Sequence, residues 1–194
     1  ADAMRKRIES DGRTEQVLDL RIESGELDAG DSGETIQLMV IPDESLGALN
    51  DMVTLKNVAG DHATQVLNND GVIVTQSAAN ALGVSGGDGV MLRDGEMRPG
   101  EVKVSAVIRN LIGSDVYISE SLYKKAFGVS SPLTWNAMLA TLDGTADDNI
   151  AYVDKLSRDP SVLSAASTDD LERGFTFKLM SAVVALIVGL AGGL

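Results

Sequence analysis

Cysteine is absent from this chain, which excludes disulfide frameworks, thiolate zinc sites and thiol nucleophiles. Aromatic residues make up only 4%, so a core has to be assembled from Val, Leu, Ile, Ala and Met. Positive charge is scarce as well: 16 Lys and Arg stand against 29 Asp and Glu, a formal balance of −13. A surface of that sign repels phosphate backbones, which argues against nucleic acid as a partner.

Recognisable catalytic chemistry is missing too. The one histidine, His62 in "AGDHATQ", has no GxSxG elbow or comparable context and reads as a solvated loop residue. "GVSGGDG" (83–89) is glycine-rich but lacks the Lys and Ser or Thr of a P-loop and the spacing of GxGxxG. Turn glycines leading into a strand are expected, and the chain hydrolyses no ATP by itself. The acidic stretches "ELDAGDSGE" (26–34) and "DGTADDN" (143–149) do not follow EF-hand ligand spacing and are expected as solvated loops and a helix cap. No two carboxylates stand out as an acid and a base. No catalytic, cofactor-binding or metal-binding residue is therefore expected.

What is present is a chain of 194 residues, 44% apolar, enough to bury a core in one or two small domains. It opens "ADAMRKRIES", without the apolar stretch of a secretory signal peptide. The lack of Met at position 1 is that of a piece of something longer. The other end reads "FKLMSAVVALIVGLAGGL", with no charged side chain from Leu179 to Leu194. As a helix rising ~1.5 Å per residue, those residues would span about 24 Å of a ~30 Å bilayer core. Ser181, Ala185, Gly189 and Gly193 recur every four residues, a small-residue stripe that lets a second backbone approach. The spacing predicts that 175–194 begins a transmembrane helix; the alternative is a buried terminal core helix. Left in water, this helix would also be a place for a homodimer to form.

Between the ends, residues 1–13 read as a connecting helix. Alternation predicts strands over 14–24 and 35–42, separated by an acidic loop, with helical turns over 43–51. The clearest order follows: strand "GVIVT", helix "QSAANALG" ended by Gly83, strands "DGVMLR" and "EVKVSAVIR" around a turn, strand "SDVYIS", and a helix from near Ser119 to Gly128. "NAMLATLDG", "TADDNIAYVDKLSRDP" and "SVLSAAST" then read as a β-α-β unit.

"DGVIVTQSAANALGVSGGDGVMLRDG" followed by "EVKVSAVIRNLIGSDVYISESLYKKAFG" resembles the extracytoplasmic domain of FtsX-like (MacB-like) ABC transporter permeases. The matching positions are Gly71–Thr75, Leu82–Val84, Gly87–Val90, Val102–Ile108 and Val116–Phe127; Gly89 departs from the Thr often found there. "LSRDPSVLSAASTDDLERGFTFKLMSAVVALIVGL" is similar to the family's last strand, acidic connector and the start of the next span. The resemblance covers residues 65–194 well and the first 60 loosely.

It implies an α+β, two-lobed fold. One lobe is β-α-β, built from 1–50 and 131–172, and 51–130 is an inserted β-rich lobe. It further implies a non-enzymatic permease subunit in the cell membrane, working with a separate cytoplasmic ATP-binding cassette ATPase and with the lipid bilayer. The alternative function is a membrane-anchored module that binds a ligand or a protein.

Overall fold

In the computed structural model the described residues are 2–52, 55, 56, 58, 65–109, 113–167 and 185–190. They form a mixed α+β fold that divides into two compact units: residues 1–20 with 134–194, and residues 21–133. Residues 21–50, grouped above with the chain ends, lie in the second of these units. The reason is a strand longer than its alternation indicated. β1 runs from Thr14 to Ala29, and β2 (Ser32–Ile41) pairs antiparallel with its second half, from Arg21↔Val40 to Ala29↔Ser32.

The unit that contains both chain ends opens with α1 (Asp2–Glu9). Met4 and Ile8, one helical turn apart, are buried together. On the solvent side Arg5 pairs with Glu9 at 2.8 Å and also with Asp19, while Arg7 pairs with Asp159. β1 up to Leu20 pairs antiparallel with β7 (Ala137–Leu142). α5 (Ala146–Ser157) follows, started by Thr145, whose hydroxyl and backbone N–H both meet Asp148 in a capping box. Its Tyr152, Val153 and Leu156 pack with Met4, Ile8, Met138, Ala140 and Leu142 into one apolar cluster.

β8 (Val162–Ser167) and β9 (Ala185–Leu190) complete this sheet, in the order β1-β7-β9-β8. β9 is where the structure departs from the expected membrane helix. Residues 185–190 pair antiparallel with β7 on one side and β8 on the other. An uninterrupted apolar run carries no period, so it suits an inner strand as well as a buried helix. Ala185 and Gly189 of the small-residue stripe thus lie on a strand, whereas Ser181 and Gly193 fall outside the described residues. No helix among the described residues is long and apolar enough to cross a membrane.

The second unit is a ring of six strands. β1 from Arg21 pairs with β2, and β2 pairs parallel with β6 (Asp115–Ser119). β6 pairs with β3 (Val72–Thr75), and β3 pairs parallel with β5 (Pro99–Ile108). β5 pairs with β4 (Gly89–Arg93), and β4 returns to β1 at Glu26–Asp28, closing the ring. Alternation along β5 turns Val102, Val104, Ala106 and Ile108 inward and leaves Glu101, Lys103 and Ser105 exposed. Leu27, Leu38, Val40, Leu92 and Val116 are fully buried in the same unit.

Closure needs a glycine at its seam. A Cβ on Gly25 would lie 2.5 Å from the Arg93 carbonyl oxygen, at the seam where β4 meets β1. Around the ring stand α2 (Leu46–Met52), α3 (Gln76–Leu82) and α4 (Glu120–Phe127).

Candidate functional site

The barrel carries the most developed polar arrangement among the described residues, and α4 positions it. Ser119 caps that helix by accepting from the Leu122 N–H, and Glu120 pairs with Lys124 at 2.6 Å along its side. Gly128, with φ of 65°, ends it in the left-handed conformation. The buried face presents Tyr123 and Phe127, whose rings meet edge-on at 4.8 Å.

The Tyr123 hydroxyl lies 3.0 Å from Glu23 Oε1 and 3.2 Å from Asp94 Oδ2, so one proton is offered to two carboxylates. Each carboxylate has its own cation: Arg98 Nε donates to Asp94 at 2.7 Å and Arg21 Nε to Glu23 at 2.7 Å. Asp94 opens the turn between β4 and β5, and the backbone N–H groups of Glu96 and Arg98 donate to its Oδ1 at 3.0 and 2.9 Å.

Burial opposes the charge on Asp94, but the Arg98 guanidinium and those amides outweigh it and hold its pKa below the usual carboxylate value. Burial, aided by the neighbouring Glu23 charge, pushes the Tyr123 phenol well above its ordinary value, so it stays a proton donor. The cluster ties β1, the β4–β5 turn and α4 together. Its chemistry is structural: neither carboxylate is free to act as a base, and the phenol is already committed.

Against α4 lies an open groove of about 740 Å³. Met91, Leu122 and Ala126 supply apolar lining, and Lys103, Lys125, Asp70 and Glu101 add charges of both signs. Among the described residues no group of three His, Asp or Glu could hold a metal ion.

The stretches weighed in the sequence fall as follows. In "GVSGGDG", the Val84 N–H bonds Ala79 O, the Gly87 N–H bonds Val104 O, and the Ser85 N–H bonds Asp88 Oδ2. Amides spent on the fold in this way do not form a phosphate cradle. "ELDAGDSGE" is two paired strand arms and their turn, not a loop, because Leu27 is wholly buried and Asp28 pairs with Arg93 at 3.0 Å. "DGTADDN" contains the α5 cap. His62 lies outside the described residues.

The Glu23–Asp94–Arg98–Tyr123 cluster was missed by the sequence reading. Its one local sign was an acid and a base four residues apart across the turn "DGEMR".

No family model matches the chain, and no curated protein matches it. Among solved structures, the chain is similar to the extracellular domain of the noncanonical ABC-type transporter YknZ from Gram-positive bacteria. The identity is 19%, over 76% of this chain and 74% of that one, with a TM-score of 0.48. It is also similar to the periplasmic region of MacB from Actinobacillus actinomycetemcomitans, with 15% identity over 78% of this chain and 70% of that one and a TM-score of 0.44.

Proposed function

We propose that this chain is the extracytoplasmic domain of an ABC transporter permease subunit in the cell membrane. In this reading it couples ATP hydrolysis by a separate cytoplasmic ATPase to export, or to control of a partner outside the cell. The observation that carries the reading is where the resembling phrases fall. They lie in order on β3, α3, β4, β5, β6 and α4, consecutive elements of one barrel, while both chain ends are held in the other unit.

A domain set between two membrane spans needs its entry and exit in one unit, and a barrel grown from the middle of the chain leaves that unit undisturbed. In this reading residues 175–194, uncharged from Leu179 on, supply the route into the bilayer. Without a P-loop of its own, the chain depends on a partner for ATP hydrolysis.

The test is purification of the membrane protein that bears this domain, in detergent, from the cells that make it. An ATP-binding cassette ATPase is expected to come with it in fixed proportion. Its consistent absence would favour the second reading, a membrane-anchored binding module, which the open groove beside α4 supports.

A further inference from the structure

The ring of strands repeats one pattern twice. Each half runs hairpin, single strand, helix: β1–β2, β3 and α3, then β4–β5, β6 and α4, with α2 in the longer connection of the first half. The closing parts agree in sequence, "VIVTQSAANALGVS" at 72–85 against "VYISESLYKKAFGVS" at 116–130. They agree in backbone as well. Thr75 and Ser119 precede their helices at φ of −73° and −74°, and Gly83 and Gly128 end them at 68° and 65°. Val84 and Val129 then donate to the carbonyls of Ala79 and Lys124, both at 3.0 Å.

The pairing registers follow the same repeat. Ile41 lies beside Ser119, and Ile108 beside Thr75. Where the halves meet, matching positions face each other: Leu27 stands opposite Leu92, and Ile73 opposite Tyr117. Residues that face their own counterparts define an isologous, two-fold interface. Four junctions of the ring, β2–β6, β6–β3, β3–β5 and β4–β1, join one half to the other, and only the two hairpins are internal to a half. A half alone would leave most of its ladder groups unpaired, and a second half supplies their partners.

What makes this pairing intramolecular is the joint at 84–88. Ser85, Gly86, Gly87 and Asp88 are exposed, and Gly87 sits at φ of 103°. The joint's backbone bonds keep to one side or the other: Val84 bonds back to α3, while Gly87 donates to Val104 O and Asp88 O accepts from the Val104 N–H.

We propose that the barrel is a self-complementary half-ring used twice, and that the surfaces joining its halves fit a second copy of this chain. Two copies exchange halves about 84–88, each ring closing from 21–83 of one and 89–133 of the other. The exchanged ring has the same ladders, so only the path of the joint changes. Residues 1–20 and 134–194 also stand on opposite sides of that joint in the chain, so one hinge serves the whole exchange. A flexible joint holds the chain's own second half at high effective concentration and favours closure within one copy. A joint too short to turn back favours exchange.

The chain has no cysteine, and Asp28 and Met91 are register partners across the β1–β4 seam. Asp28→Cys with Met91→Cys therefore places one disulfide on a junction between halves. An equal mixture of isotopically light and heavy chain carrying both substitutions is unfolded in urea, refolded, oxidised and digested. Closure within a chain links light peptide to light and heavy to heavy, whereas exchange also links light to heavy. With the native joint, the light–heavy share is expected to rise with protein concentration. With Ser85 and Gly86 deleted, it is expected to equal the two unmixed forms together even in dilute solution. A shortened chain that refolds with unmixed links alone overturns the exchange. Should shortening prevent folding, the native joint decides: a light–heavy share that does not rise with concentration overturns it as well.

Discussion

In the barrel of residues 21–133 every strand has a partner on both sides, whereas in the sheet built from the chain ends β8 is paired on one side only among the described residues. The two units are stabilised differently as a result. The barrel has no edge to offer and adds a network of two carboxylates and two part-exposed guanidiniums around the buried Tyr123 phenol. Among the described residues the chain-end sheet has an apolar cluster shared with α1 and α5, together with exposed or partly exposed ion pairs, which contribute little. A closed ring resists the gain or loss of a strand, and an open sheet tolerates either.

The largest effect should come from breaking the ring's interior. Leu27→Ala, at a site with no exposure, is expected to cost about 2–5 kcal/mol. Trp135 is the only tryptophan and lies in the other unit. Its fluorescence midpoint in urea should therefore move less than the amide-exchange stability of the barrel. Equal shifts would show that the two units unfold as one.

A smaller effect is expected from Asp94→Asn, about 1–3 kcal/mol at neutral pH, with the lower end favoured because Arg98 is 37% exposed. The sign with pH follows from the depressed folded pKa. Asp94 contributes fully above its unfolded value of 3.8, and the contribution is lost as pH falls through the folded value below it. Acid titration of stability should therefore be shallower in the variant below that pH and parallel to wild type above it.

Thr145→Ala removes the cap of α5 and should cost the chain-end unit about 1 kcal/mol, read from the Trp135 transition. Smallest of all is Leu163→Ser on β8. Its side chain is 79% exposed, and a change under about 0.5 kcal/mol is expected in thermal melts.

Much of this fold was legible where local signals agreed. Ser119 and Gly128 bracket α4, Thr145 with Asp148 opens α5, and strict alternation marks β5. It failed where tertiary pairing overrode local preference. Residues 25–34 are rich in Gly, Asp and Glu, which strands disfavour, yet pairing to β2 and β4 makes them strand arms. Residues 185–190 failed for the opposite reason, since a run with no polar position cannot report whether its period is 2 or 3.6. The Tyr123 cluster was out of reach because Glu23, Asp94 and Tyr123 are brought together only by closure of the ring.

The measurement that tests the permease reading most directly is sidedness in the living cell. Met97, at the exposed tip of the β4–β5 turn, is replaced by cysteine in the membrane protein that bears this otherwise cysteine-free domain, and intact cells are treated with a membrane-impermeant maleimide. The account predicts that Met97→Cys is labelled as fully in intact cells as after lysis. Labelling only after lysis would place the domain inside the cell and contradict it.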